Sequence, residues 1–287
     1  MIYITGDTHG QYGRFRTPTA ARLRGKTHRR TEDTLIICGD FGFLWDGSAK
    51  EQKLLQKIGK RRHNTLFVDG VHENFTMLSE YPTESWNGGD TRHICGNLRY
   101  LCRGQVFDIE GFSIFTMGGG VREDLGFSKT DSQDELDGLD GFDKTAGFAK
   151  SGTNDAPETP TADDIAKGLA ALQKTGGKVD YVISYEPPGS VGDFRTITNR
   201  SGVKMPGFTG KRGRAGALET VRTAGEKLGF MDEIEKNITY GRWFFGKHHV
   251  NRIVTDKVFA VFDGIIRADH DVMNKKSGKR SHRNGGF

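Results

Sequence analysis

The chain has 287 residues, of which 28% are charged and 34% are hydrophobic, and its formal net charge is +5. A chain of this length can bury a sizeable core, but it contains no run approaching the roughly 20 apolar residues of a membrane span, so we expect no membrane protein and no membrane partner. Three cysteines without C-x-x-C spacing, and a first strand that follows Met1 directly, predict a cytoplasmic protein without a disulfide framework or signal peptide.

Short β-branched runs, taken in chain order, predict seven buried strands: Ile2–Thr5, Thr34–Cys38, Thr65–Val68, Phe112–Met117, Val179–Ser184, Trp243–Gly246 and Lys257–Phe262. Helical periodicity between some of these strands predicts three helices: Lys50–Arg61, Ala162–Lys174 and Ala215–Ile234. Alternation of strand and helix indicates an α/β fold with crossover connections. Closely spaced short strands from Arg99 to Met117 indicate an antiparallel part of the sheet.

One domain is predicted over residues 1–270, followed by a basic tail over residues 271–287. From Lys275 to Phe287 the tail carries five Lys and Arg residues and no acid, so the rest of the chain is close to neutral. This composition is typical of a solvated, disordered end, with nucleic-acid contact as the alternative. Residues 118–160 are rich in Gly and Asp, which predicts a long polar excursion or a flap over the site.

Polar side chains follow several predicted strands in four glycine-flanked motifs: Gly6-Asp7-Thr8-His9-Gly10, Gly39-Asp40-Phe41-Gly42, Gly70-Val71-His72-Glu73 and Gly246-Lys247-His248-His249. Ligands of α/β sheets gather at the carboxyl ends of the strands. Carboxylate and imidazole groups are suitable donors for manganese, iron or zinc. The sequence therefore predicts a divalent metal site at this edge of the fold.

These motifs, in this order, resemble the signature of the calcineurin-like metallophosphoesterases, which reads D-x-H, G-D, G-N-H-D/E, a lone His and G-H-x-H. The flanking sequences resemble bacterial and phage members, and the resemblance runs from Met1 to about Phe262. It implies a four-layer α/β/β/α sandwich of two mixed sheets. It also implies a metal-dependent hydrolase of phosphomonoesters or phosphodiesters.

Carried over residue by residue, the resemblance implies that the first metal is held by four residues that are all present: Asp7, His9, Asp40 and His249. The second metal would share Asp40, but its other three positions hold Val71, Tyr185 and Lys247. Valine cannot coordinate a metal, a protonated tyrosine is a poor ligand, and lysine is a cation. One metal site is therefore expected and the second is expected to be absent, unless His248 takes the place of a missing histidine.

His72 and Asp40 are the predicted catalytic residues. The resemblance implies that His72 assists the leaving group as an acid or hydrogen-bond donor, and that Asp40 bridges the metal positions. Glu73 and His248 are predicted to contact the metal ligands without binding the metal themselves. Lys247 is predicted to supply positive charge in place of the second metal and to pair with Asp40, because a buried ammonium needs a carboxylate.

Three functions stay open at this point. The first is a phosphoesterase that retains one metal and has reduced activity. The second is a catalytically inactive protein of the same fold that binds a phosphate-bearing ligand or a protein partner. The third is a nucleic-acid-binding protein that uses the basic tail and the region Lys204–Arg214. The motifs specify neither the substrate, the metal nor the oligomeric state.

Overall fold

The computed structural model of the chain describes residues 1–23, 33–121, 158–191 and 229–269. Within these ranges the strands form two sheets. The first sheet has seven strands and the second has six. Both sheets mix parallel and antiparallel pairs.

The strands of the first sheet are β1 (Ile2–Thr5), β2 (Thr34–Cys38), β3 (Asn64–Val68), β4 (Thr83–Trp86), β5 (Gly89–Cys95), β6 (Leu98–Leu101) and β13 (Ile266–Arg267). Those of the second are β7 (Gln105–Ile109), β8 (Phe112–Met117), β9 (Lys178–Ser184), β10 (Thr239–Phe245), β11 (Arg252–Ile253) and β12 (Val258–Ala260). The first sheet has the order β13-β1-β2-β3-β6-β5-β4, and the second has the order β11-β12-β10-β9-β8-β7. The α-helices are α1 (Pro18–Arg22), α2 (Ala49–Gly59), α3 (Phe75–Glu80), α4 (Ala162–Lys174) and α5 (Gly229–Lys236), with 3-10 turns at Tyr12–Arg16 and Gly189–Val191.

The two longest helices begin at side-chain caps that satisfy backbone N–H groups of the first turn. Ser48 accepts a hydrogen bond from the N–H of Glu51 at the start of α2. Thr161 and Asp164 cap α4 reciprocally, each side chain accepting from the other's backbone. Local sequence therefore sets where these helices begin, which is why the start of α4 agrees with its prediction.

Apolar side chains alternate between the two faces of each sheet and thereby build three cores. Ile36 and Cys38 of β2 face the second sheet and pack in a core that includes Ile183 and Phe244. Leu35 and Ile37, on the opposite face of β2, pack in a core with side chains of α2. A third core joins the outer face of the second sheet to helices α4 and α5. The result is the four-layer α/β/β/α sandwich that the resemblance implied.

The connection between β6 and β7 differs from the sequence prediction. The region from Arg99 to Met117 does contain an antiparallel hairpin, because β7 pairs with β8. However, β6 belongs to the first sheet, where it pairs with β3 and β5, so the chain crosses from one sheet to the other after Leu101. The sequence pattern shows short strands but not which sheet each one joins.

Several predictions concern residues outside the described ranges. They are the basic tail at 271–287, most of the excursion at 118–160, the region Lys204–Arg214 and the first part of the helix Ala215–Ile234. Of that last helix, the structure describes α5. In the part of the chain that is described, no helix has the length and apolar character needed to cross a bilayer.

Candidate metal centre

The motif residues follow the carboxyl ends of five strands and meet at one edge of the sandwich. Asp7 follows β1, Asp40 follows β2, His72 follows β3, Tyr185 follows β9 and Lys247 follows β10. The loops after β1 and β2 are joined by backbone hydrogen bonds, because the N–H groups of Thr8 and His9 both donate to the Asp40 carbonyl, at 3.0 and 2.9 Å. Asp7 and Lys247 are 240 residues apart in the chain and follow strands of different sheets, so the packing of one sheet against the other brings them together.

Three residues, which we call the first-metal half, converge through their donor atoms: Asp7, His9 and His249. Nε2 of His9 lies 2.9 Å from Nε2 of His249, and Nε2 of His249 lies 3.1 Å from Oδ2 of Asp7. That second contact lacks hydrogen-bond geometry, since the buried Oδ2 atom has no hydrogen-bond partner among the described residues. A carboxylate oxygen buried in this way, beside two imidazole nitrogens, fits the donor set of a divalent metal.

The backbone is strained at this centre. Among the described residues, six other than glycine have positive φ, and four of them are at the site: His9, Asp40, Lys247 and His249. Such a conformation costs on the order of 1–3 kcal/mol per residue and persists where the surrounding structure imposes it. The concentration of strained residues in the three loops of the site supports a functional assignment of this edge.

Asp40 and His72 form a hydrogen-bonded pair. Oδ1 of Asp40 accepts from the His72 backbone N–H at 2.8 Å, and Oδ2 lies 2.8 Å from Nδ1 of the His72 ring. Burial would raise the pKa of the Asp40 carboxyl, but the hydrogen bonds from His72 and the charges of His72 and His9 lower it to about 2. Asp40 is therefore a carboxylate that only accepts, so the His72 Nδ1 atom carries the hydrogen.

The surroundings of His9 favour the neutral form of its ring. Burial lowers the pKa of His9 below its usual value and outweighs the opposing effect of the Asp7 and Asp40 charges. The ring is therefore neutral at physiological pH, as a metal ligand must be. His9, Asp40 and His72 also form a second group whose donor atoms lie within 4.8 Å of one another. The sequence predicted His72 as a catalytic residue and did not indicate this grouping.

The positions substituted relative to the resemblance form the substituted half of the site: Val71, Tyr185 and Lys247. Val71 is 5% exposed and contributes no donor atom from its side chain. Tyr185 is 3% exposed, and its hydroxyl donates to Oδ2 of Asp40 at 3.1 Å. Burial, with the nearby Asp40 charge, raises the pKa of Tyr185 well above its usual value. The residue stays a phenol and occupies the Asp40 oxygen with a hydrogen bond.

The carboxylate against the Lys247 ammonium is Glu186, where the sequence suggested Asp40. Nζ of Lys247 lies 2.5 Å from Oε1 of Glu186, and the side chains are 9% and 1% exposed. The same oxygen accepts from the backbone N–H of Val121 at 3.0 Å, and Nζ also donates to the Val121 carbonyl at 3.2 Å. Sequence reasoning missed Glu186, although a carboxylate directly after Tyr185 at a strand end was a usable signal.

Glu73 contacts the loop that carries Asp40, whereas His248 packs against an aromatic ring. Glu73 accepts from the backbone N–H groups of Phe41 and Gly42, at 2.5 and 3.3 Å, and so braces the loop behind Asp40. Burial, together with the Asp40 charge, raises the pKa of Glu73 well above its usual value. His248 packs edge-on to Phe245. It belongs to neither donor group found among the described residues.

An aromatic stack supports His249. Its ring stacks on Phe262 with the centroids 4.8 Å apart, and the guanidinium of Arg14 lies 5.2 Å from the Phe262 centroid. Arg14 also donates to the Phe262 carbonyl and to Thr5 Oγ1. The sequence did not single out Arg14, because no motif position corresponds to it and only tertiary contact brings it to this ring.

A comparison with protein families agrees with this geometry. The family model of the calcineurin-like phosphoesterases matches residues 1–205. A search of curated proteins finds no significant match to the chain. The matched range holds the first three motifs and Tyr185 but ends before Lys247. The contact of His249 with Asp7 and His9 is what connects the fourth motif to the same site.

Proposed function

The chain belongs to the calcineurin-like phosphoesterase family, and from that premise we propose that it is a phosphoesterase that uses one divalent metal ion, manganese, iron or zinc. The observation that carries the proposal is the buried Oδ2 atom of Asp7, which has no hydrogen-bond partner among the described residues and lies beside the Nε2 atoms of two histidines. The substrate class that fits is a phosphomonoester or phosphodiester.

Asp7, His9 and His249 would hold the ion, with Asp40 completing the set. The two donor groups share His9, and one ring nitrogen binds only one ion, which favours a single metal. Bound there, the ion would neutralise charge on the phosphoryl oxygens. The protein contributes by fixing the donors on a strained, hydrogen-bonded scaffold.

His72 is the proposed proton donor to the leaving group. Because its Nδ1–H group is held by the Asp40 carboxylate, its Nε2 atom is the ring nitrogen that would exchange a proton with a substrate. The His72 side chain is 46% exposed, whereas the Asp40 side chain is 1% exposed. A substrate can therefore reach His72 while Asp40 stays screened and orients the ring.

The main alternative is a catalytically inactive protein that binds a phosphate-bearing ligand or a protein partner in the same cleft. The substituted half favours it, because Tyr185 and Lys247 bond to protein groups at positions where the family holds a second metal. Loss of the second ion removes half of the clamp that two-metal enzymes place on the phosphoryl group. We therefore propose reduced activity, in the cytoplasm, and leave nucleic-acid binding as the least supported function.

Metal stoichiometry followed by turnover tests this function. The protein is loaded with Mn²⁺, passed through gel filtration and subjected to elemental analysis, and hydrolysis of p-nitrophenyl phosphate and of bis-p-nitrophenyl phosphate is then measured. We expect one Mn²⁺ per chain and hydrolysis that chelation abolishes. Asp7→Asn should lose both. Asp108→Asn, the same change at an exposed position of β7, should lose neither.

Two results would decide against hydrolysis by a single ion. Retained metal without turnover on either ester would favour the inactive alternative. Two retained metals per chain would contradict a site for a single ion.

A further inference from the structure

We propose that the ion pair of Lys247 and Glu186 replaces the second metal as a fixed cation that binds the phosphoryl group, with Glu186 as the residue that positions and moderates that cation. The proposal deepens the proposed function and rests on the assignment of this cleft to phosphate esters. It assigns a role to Glu186, which no sequence motif includes.

Lys247 is held at several points. Its backbone has φ of 60° and its N–H donates to Oδ1 of Asp7 at 3.3 Å. At the far end its ammonium lies 2.5 Å from Glu186 and donates to the Val121 carbonyl. Ordering a lysine side chain costs rotamer entropy, so these contacts must offset that cost. A solvent-exposed lysine would not be restrained in this way. The Lys247 side chain is only 9% exposed.

Two glycines shape the surroundings of the pair. A Cβ atom on Gly39 would lie 2.2 Å from Cδ2 of the Tyr185 ring, and a Cβ atom on Gly120 would lie 2.9 Å from its Cδ1. The Gly120 Cβ atom would also lie 2.5 Å from Oε1 of Glu186. Side chains at either glycine would displace the tyrosine ring or the glutamate. The absence of a side chain at Gly39 and Gly120 therefore makes room for the Tyr185 ring and for Glu186.

The ammonium lies over the substituted half. Nζ of Lys247 is 6.0 Å from the centroid of the Tyr185 ring, and the Tyr185 hydroxyl reaches the Asp40 oxygen that a second ion would otherwise share. A lysine ammonium binds phosphate as a compact point charge. It also repels a metal ion nearby, and Glu186 offsets that repulsion. The pair can therefore hold positive charge close to the first-metal half without preventing metal binding there.

This arrangement predicts opposite effects of the two partners. In Lys247→Met, the protein should bind inorganic phosphate about tenfold more weakly and Mn²⁺ more tightly. In Glu186→Gln, the carboxylate that offsets the ammonium charge is lost, so Mn²⁺ affinity should fall about tenfold and phosphate affinity should rise severalfold. A tenfold change corresponds to about 1.4 kcal/mol. Isothermal titration calorimetry with MnCl₂, and with inorganic phosphate on the Mn²⁺-loaded protein, measures all four quantities.

Control variants separate charge from folding. Lys167→Met removes a lysine of an exposed i,i+4 pair with Asp163 and should change neither affinity. The double variant Lys247→Met with Glu186→Gln removes both charges, so it remains testable if a buried unpaired charge unfolds either single variant. It should bind Mn²⁺ about as well as the wild type and phosphate about tenfold more weakly.

The proposal is overturned if the folded variants bind phosphate like the wild type, or if both single substitutions shift Mn²⁺ affinity in the same direction. These measurements need no turnover. A wild type that hydrolyses esters while Lys247→Met binds phosphate normally would leave the proposed function in place and remove this role for the pair. A wild type without turnover, whose phosphate binding still depends on Lys247, would contradict the proposed function and leave this role of the pair in place.

Discussion

The first-metal half and the substituted half lie side by side but satisfy their polar atoms in different ways. In the first-metal half, the donor atoms of Asp7, His9 and His249 converge within 4.8 Å, and an Asp7 oxygen lacks a hydrogen-bond partner among the described residues. In the substituted half, the Tyr185 hydroxyl bonds to Asp40 and the Lys247 ammonium pairs with Glu186.

The difference shows what a lost metal position can become. Buried polar atoms without partners are costly, so an atom left without one marks a place where a ligand is expected. Where protein groups provide the partners, as at Tyr185 and Lys247, the position is closed by the protein's own atoms. Substitutions in each half test whether the two halves differ in this way.

The largest effect is expected from loss of a donor in the first-metal half. His249→Ala should weaken Mn²⁺ binding by more than the roughly 100-fold that loss of a group behind the ligands can cause, because its Nε2 atom lies among the converging donors. Titration of the apo protein with Mn²⁺ measures this. His248→Ala is the matched control and should keep its metal; equal loss in both variants would show that His248 is a ligand.

The second largest effect is expected from His72. This residue bonds to Asp40, which in turn contacts both halves of the site. His72→Gln should lower kcat about 100-fold or more while one Mn²⁺ per chain is retained, since general acid catalysis typically contributes about 10²–10⁴-fold. A kinetic assay and elemental analysis of the same preparation give both numbers. Loss of the metal in this variant would show that His72 is a metal ligand and not a proton donor, in agreement with the donor group of His9, Asp40 and His72.

Reversal of the substituted half should create a second site. The triple variant Val71→Asn, Tyr185→His and Lys247→His supplies three donors and removes the Tyr185–Asp40 and Lys247–Glu186 contacts. We expect two Mn²⁺ per chain and about tenfold or more faster hydrolysis, because two ions clamp both the attacking and leaving oxygens. Tyr185→His alone is the control and should retain one ion. A wild type that already matches the triple variant would contradict the inactive alternative.

The smallest effect on the site is expected from His63, whose Nε2 atom is also buried without a hydrogen-bond partner among the described residues. Burial, helped by the Arg61 charge, lowers the pKa of His63 to about 4. Its folded pKa lies below the unfolded value of about 6.5, so the unfolded state binds the proton first. Stability is therefore full above pH 6.5 and falls as the pH drops toward 4, by about 2 kcal/mol at pH 5.

Urea unfolding at pH 8 and pH 5 measures this loss. His63→Gln should lose less stability than the wild type between those values, whereas His93→Gln, at a half-buried histidine of β5, should behave like the wild type. Mn²⁺ binding should be unchanged in both variants, because His63 belongs to neither donor group among the described residues. A metal bound at His63 would show that an unpartnered atom needs no neighbouring donors to attract an ion.

The fold could be predicted where local pattern decides it. The bounds of β1, β2, β8 and α4 agree with the prediction, because β-branched runs and a capping threonine are local signals. The β4–β5 hairpin was not predicted, since Thr83–Trp86 is mostly exposed and has no apolar alternation. The division into two sheets came from the resemblance rather than from periodicity, because strand pairing is a long-range contact.

At the site, the sequence by itself determined which residue types follow the strand ends and which motif positions are substituted. It thereby determined the family and the expectation of a metal. Only the tertiary structure decided that Lys247 pairs with Glu186, 61 residues away, and that Tyr185 bonds to Asp40, 145 residues away. The physical reason is that a motif specifies a donor, whereas the partner of a buried polar group depends on which distant loops the sheets bring within hydrogen-bond distance.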